Sequence, residues 1–247
     1  MRSRIGRALG VAAGVMAIAG PAQAVVGGRE APEAASSSVM VLSSKGGVCT
    51  GIVVARDAVL TAAHCVAGGA EHRVHFRDQA GAPVLVDLTG RALHPGYDAG
   101  AIAGRRRSID IAILRTATPL PPRFTIAPLS AAMPRTGETL SLSGYGAARS
   151  GDPRSTGTFR SVDLPVVEPF GQSRILVWLK SPKPGAGPCQ GDSGGPIGPE
   201  GGGVLAVSAW IGGACGGVSQ GVLLGPQRDW IDRTLSGWGL SASWAQP

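Results

Sequence analysis

Apolar residues in this chain come in short runs, each soon cut off by Gly, Pro, Ser or Asp. Residues 39–42, 52–54 and 59–60 are runs of this kind, as are 138–143, 159–167, 175–179, 204–210 and 221–224. β-branched and apolar runs bounded by turn-forming residues read as strands. The 39 Gly and 19 Pro in 247 residues suit strands joined by turns and leave little room for long helices. Only 227–235, with Asp229, Trp230, Ile231 and Leu235, has the spacing of an amphipathic helix. Between the two groups of strands run Pro119, Pro121, Pro122, Pro128 and Pro134. Proline removes ladder donors and fixes φ, so this stretch is connection rather than sheet and divides the chain into halves. No internal repeat is readable, and the tail from Ser236 onward has no assignment.

The first 24 residues have the pattern of a secretory signal. Arg2, Arg4 and Arg7 supply the positive region, residues 9–19 the apolar one, and Ala22-Gln23-Ala24 a cleavage site. About 11 apolar residues fall short of the roughly 20 that a spanning helix needs, so removal is expected rather than anchoring. The formal charge of +7 becomes +4 without those three arginines, too mild to argue for nucleic acid. The densest basic run, Arg105-Arg106-Arg107, is read as a solvated loop, with a polyanion patch as the sharper alternative. His72 and His75 lack a partner cluster at ligand spacing, and residues 66–82 lack a dense acidic cluster. No metal and no cofactor are implied.

The chemistry concentrates in Cys189-Gln190-Gly191-Asp192-Ser193-Gly194-Gly195-Pro196. A serine among glycines can sit beside backbone amides that converge on one point, which is what an oxyanion needs. A serine alone is a weak nucleophile, so a base and an orienting group should lie elsewhere. His64, in Thr61-Ala62-Ala63-His64-Cys65, and Asp110, before Ile111-Ala112-Ile113-Leu114, are the candidates. Taken singly, such a serine is usually a turn residue and such an aspartate a surface residue.

With Val25-Val26-Gly27-Gly28 these motifs span nearly all of the chain after residue 24. In their order they resemble the trypsin/chymotrypsin-type (family S1) serine proteases, as a secreted bacterial-type member. The resemblance implies an all-β fold of two six-stranded antiparallel Greek-key β-barrels, with the active site between them and a short C-terminal helix. The expected boundaries are a signal peptide over 1–24, a first barrel over about 25–120 and a linker over about 121–135. A second barrel over about 136–225 and the helix over about 227–235 follow. Ser193 would be the nucleophile, His64 the base and then the acid, and Asp110 its orienter. The amides of Gly191 and Ser193 would form the oxyanion hole. Cleavage after Ala24 would free the Val25 ammonium to pair with Asp192, so that export itself activates the enzyme.

The four cysteines permit three connectivities in an exported chain. The resemblance selects Cys49–Cys65 and Cys189–Cys215. It places the pocket floor at Gly187, which is not acidic, so cleavage after Arg or Lys is not expected. Ile211, after Trp210, should narrow the pocket, while Gly221 should leave it some depth. Small or medium aliphatic P1 residues follow. Ala209 departs from the pattern: the serine that usually supports the catalytic aspartate stands one position earlier, at Ser208. The expected function is a secreted serine endopeptidase, extracellular or periplasmic and monomeric. It would act on protein or peptide substrates through an acyl-enzyme and could meet protein inhibitors, without nucleic acid or membrane insertion. The alternatives are a non-catalytic binding protein on the same fold and an ester hydrolase.

Overall fold

The computed structural model describes residues 25–104 and 106–246; the expected signal segment and Arg105 lie outside them. Among the described residues, fourteen strands fall into two antiparallel sheets, accompanied by one α-helix. A two-residue strand β1 (Arg29–Glu30) opens the chain. The first sheet follows as β2 (Ser38–Ser43), β3 (Val48–Ala55), β4 (Ala58–Thr61), β5 (His72–Arg77), β6 (Pro83–Val86), β7 (Leu88–Leu93) and β8 (Ala112–Thr116). The second contains β9 (Thr139–Gly144), β10 (Arg160–Val167), β11 (Leu176–Leu179), β12 (Pro196–Gly198), β13 (Ala206–Ile211) and β14 (Ser219–Leu223). Helix α1 (Arg228–Ser236) closes the order.

Each sheet counts seven strands where six are expected, and the surplus has a local cause in each. In the first, β6 and β7 are separated by Asp87 alone. β6 pairs with β5 at one edge of the sheet and β7 with β8 at the other. They act as one bent strand that brings the two edges together. In the second, β9 pairs with both β12 and β10, so six strands close into a ring. The seventh is β1, which crosses over to pair with β10 through Arg29↔Ser161 and Glu30↔Arg160.

The apolar runs are continuous because the central strands bury both faces. Val53, Val59, Ala112 and Leu114 point into the first barrel, with Val39, Val41 and Val74. Their chain neighbours Ile52, Val54, Leu60 and Ile113 point outward to a second core. There they meet Leu176, Trp178, Val207 and Val222 of the other sheet, and Ile231 and Leu235 of α1. Val177, Leu179, Ala206 and Leu223 alternate with these and fill the second barrel. Side-chain alternation with a period of two thus builds three cores from two sheets. The proline-rich stretch forms no strand between β8 and β9, although Leu129 bridges to Val204 and Trp244.

Candidate active site

His64 sits in a single 3-10 turn, Ala63–Cys65, directly after β4. Ala62 and Ala63 are fully buried, which fixes the turn and leaves the imidazole half exposed. Asp110 lies just before β8, beside β4 in the sheet. Its carboxylate accepts twice from one residue: Oδ1 from the His64 backbone N–H at 2.8 Å and Oδ2 from Nδ1 at 2.7 Å. An ionised carboxylate only accepts, so Nδ1 carries the proton and Nε2 keeps a free lone pair. The Cys49–Cys65 disulfide lies next to this histidine. The Cys49 and Cys65 sulfurs stand within 4.8 Å of a His64 ring nitrogen, but as a disulfide they offer no thiolate to a metal.

Ser193 comes from the second half of the chain, in the loop before β12. That loop is locked on both sides. Gly194 N–H donates to the Ser208 carbonyl at 2.7 Å, and Ser208 N–H donates to Gly195 at 2.9 Å. A Cβ at Gly194 would lie 2.1 Å from the Thr50 carbonyl oxygen, and its φ of +84° strains any other residue, so only glycine fits. From the first barrel, Thr50 N–H donates to the Ser193 carbonyl at 2.8 Å. The Thr50 hydroxyl donates to the Gly191 carbonyl at 2.9 Å and accepts from Tyr145 N–H at 2.9 Å. Thr50 is fully buried and ties the two barrels at the serine loop. Sequence reasoning passed over it because a threonine inside a strand carries no signal of its own.

Among the described residues, neither the Gly191 nor the Ser193 N–H donates to a protein acceptor. Both stay available, beside the serine hydroxyl, for an oxygen that develops charge. His64 and Ser193 line one cavity of about 170 Å³, with Pro188, Gln190, Ser208, Trp210 and Ile211 among the other walls. No direct hydrogen bond joins the Ser193 hydroxyl to the imidazole, and such bonds are often long before substrate binds.

Asp192 is fully buried. It accepts from Gly146 N–H and Cys189 N–H, each at 2.8 Å. Loss of hydration outweighs these two bonds and pushes its carboxyl up to about 7. Val25 is also fully buried, in the core of the second barrel. Its neighbour Val26 accepts from Gly187 N–H at 2.8 Å. No Val25–Asp192 ion pair forms among the described residues, because the Val25 nitrogen here is a peptide amide joined to residue 24.

The expected pocket residues divide. Trp210 and Ile211 line the cavity, whereas Gly187 and Gly221 do not. A Cβ at Gly187 would stand 2.9 Å from the Gly216 Cα, so the 213–217 turn closes that side. Gly221 gives the cavity no depth, contrary to expectation. Its open face looks into the barrel, where a Cβ would meet Ile197 Cδ1 at 2.7 Å. The Ser208–Ala209 shift has a structural cause. β13 bulges between Ser208 and Trp210, so Ala209 is the extra residue and packs into the inter-barrel core. Ser208 lines the cavity, but its hydroxyl makes no hydrogen bond to Asp110. The second disulfide, Cys189–Cys215, joins the serine loop to the turn after β13.

The family model described as Trypsin matches residues 25–231. Trypsin zeta of Drosophila melanogaster is 32% identical over 217 residues, covering 76% of this chain and 74% of that protein. Granzyme M of Rattus norvegicus is 24% identical over 243 residues, covering 87% and 90%. The solved structure of neuropsin from mouse brain superposes with a TM-score of 0.72 at 24% identity, over 85% of this chain and 99% of that one. Human heparin binding protein does so with a TM-score of 0.72 at 25% identity, over 89% and 100%. These relatives are animal proteins, so the bacterial-type part of the expectation finds no support. Motif order, two closed barrels and the extent of the match agree: this chain belongs to the trypsin family of serine proteases.

Proposed function

We propose that the chain is a secreted serine endopeptidase that works through Ser193, His64 and Asp110. The observation that carries this reading is the doubly bonded Asp110–His64 pair, facing the same cavity as Ser193 with two free amides beside it. Ser193 Oγ attacks the substrate carbonyl carbon and its proton passes to His64 Nε2. The carbonyl oxygen takes the negative charge and accepts from the Gly191 and Ser193 amides. Asp110 stabilises the imidazolium. The carbon–nitrogen bond then breaks, His64 gives its proton to the leaving amine, and an acyl-serine remains. Water, deprotonated by the same histidine, releases the acid and restores Ser193.

Small or medium aliphatic P1 side chains fit this site. Its cavity is small and its walls include the Ile211 side chain. Gly187 supplies no negative charge, and packing on both Gly187 and Gly221 prevents a deeper pocket. Export follows from the signal-like segment and agrees with the two disulfides, which persist in oxidising compartments. Among the described residues no helix is long and apolar enough to cross a membrane. Cleavage after Ala24 would free the Val25 ammonium to pair with the buried Asp192, as the family resemblance implies. That charge would hold the 189–193 loop in the conformation described.

A second reading, a binding protein on the same fold, draws on the missing Ser193–His64 and Ser208–Asp110 bonds and on the structural neighbour titled heparin binding protein. A fluorophosphonate probe separates the two. Protein starting at Val25 should be labelled on Ser193 and should degrade a denatured protein substrate, with both activities lost in Ser193→Ala. A folded protein that starts at Val25 and takes no label would move the assignment to binding. Labelling without any peptide hydrolysis would move it to ester substrates.

A further inference from the structure

The family match ends at residue 231, within α1, and the residues after it make contacts that the sequence did not announce. α1 itself presents Trp230 edge-on to His94, with ring centroids 4.8 Å apart. Past the helix, Trp238 lies over β7: a Cβ built at Gly90 would stand 3.3 Å from Trp238 Cζ2. The chain then turns back toward the linker. Leu129 N–H donates to the Ser243 carbonyl at 2.7 Å, and Ala245 N–H donates to Leu129 at 2.6 Å. Trp244 therefore pairs with Leu129, which on its other side pairs with Val204 of the second half. The Trp244 indole N–H donates to Asp232 at 2.9 Å, and Arg228 lies over its ring at 4.9 Å. One short segment thus touches the first barrel at Gly90, and at Leu129 the linker that Val204 joins to the second.

The first-barrel end of this contact lies one step from the proposed triad. β7 pairs with β8 up to Leu93↔Ala112. His94 N–H then donates to the Ile111 carbonyl at 3.0 Å, and Ile109 N–H donates to Gly96 at 3.0 Å. Gly96 N–H donates to His94 Nδ1 at 3.0 Å. Both chain neighbours of Asp110 are therefore bonded to residues 94–96, which rest on Trp230 and continue from the strand beneath Trp238. Asp110 and His64 belong to the first barrel and Ser193 to the second, so their separation depends on what spans the two.

We propose that residues 237–246 form a brace in which Trp238 and Trp244 are positioning residues, holding the Asp110–His64 pair against Ser193. The proposal rests on the protease reading above. Its test uses protein starting at Val25, with Trp238→Ala, Trp238→Phe and Trp244→Phe. For a peptide substrate, Trp238→Ala should lower kcat on the order of tenfold with KM within about twofold, because misplaced reacting groups cost rate rather than binding. Trp238→Phe should restore most of it. Trp244→Phe, which keeps a ring and loses the Asp232 bond, should stay folded and give a smaller fall in the same direction. Amide hydrogen exchange reads the brace without any activity: Trp238→Ala should speed exchange at the His94 and Ile109 amides. If the parent protein hydrolyses nothing, the protease reading falls and exchange alone decides the brace. Unchanged exchange at those amides, or unchanged kcat in folded Trp238→Ala and Trp244→Phe, overturns the proposal.

Discussion

Asp192 is the residue whose environment asks most of its surroundings. It is fully buried with two backbone donors and no counter-charge among the described residues, and its carboxyl is pushed from 3.8 up to about 7. The folded chain then holds a proton that the unfolded chain has lost between about pH 4 and pH 7. Its stability should fall as pH rises through that window, the reverse of the usual aspartate case. Under the proposed activation, the freed Val25 ammonium would supply the missing charge. Urea denaturation at pH 5 and pH 8 should show the larger drop for protein that retains Ala24 than for protein starting at Val25. Equal drops would remove Val25 from any role at Asp192. Thr50 poses a second test at this scale. Thr50→Val keeps the shape but leaves Gly191 O and Tyr145 N–H without a partner, at a cost of about 1–3 kcal/mol for a buried unsatisfied group. Denaturant midpoints should fall accordingly, and kcat should fall with them. An unchanged kcat would mean that the serine loop does not depend on Thr50.

At the scale of elements, the loop 189–195 is fixed from four directions: Thr50, Ser208, Gly146 (which donates to Asp192) and the bridge to Cys215. Removing the bridge with Cys189→Ala and Cys215→Ala opens a 26-residue loop. The chain-entropy model puts that loss at about 3.5 kcal/mol. A lower thermal midpoint with slower labelling of Ser193 is expected, and a loss of stability with labelling unchanged would confine the bridge to a structural part. How far the elements were legible follows from burial. Residues 52–54, 59–60 and 176–179 were readable because they bury both faces and so appear as unbroken apolar runs, and 39–42 because Val39 and Val41 fill the first barrel beside half-buried Met40 and Leu42. The strands β5, β6 and β7 were not picked out. In β5 and β7 the residues alternate in exposure and include His72, Arg73, Arg77 and Arg91, which mask the apolar half of the pattern, while β6 is a four-residue apolar stretch that opens on Pro83 and buries only Val86. The helix was legible from the spacing of Trp230, Ile231 and Leu235, and the structure starts it one residue later, at Arg228.

For the whole molecule, the sequence order His64, Asp110, Ser193 already implied two halves meeting at one site. The structure puts the first two on one barrel and the third on the other. The pocket was less legible, because its shape depends on contacts between distant segments. Neither the bulge at Ala209 nor the packing of Ile197 against Gly221 leaves a mark in local sequence. The tail was illegible for the same reason: Trp238 and Trp244 find partners at Gly90 and Leu129, more than a hundred residues earlier in the chain. Within the proposed triad, Asp110→Asn should leave the fold intact and lower kcat by about 10⁴, because the imidazole then takes the wrong tautomer. A fall of less than tenfold would mean that the Asp110–His64 contact does not direct the chemistry. The most direct single measurement is hydrolysis of a P1 panel of Ala, Val, Leu, Phe and Arg peptides by protein starting at Val25, with Ser193→Ala beside it. Turnover of the Ala and Val peptides, abolished in Ser193→Ala, is the expected result. No turnover of any peptide by the folded, correctly processed protein would contradict the account.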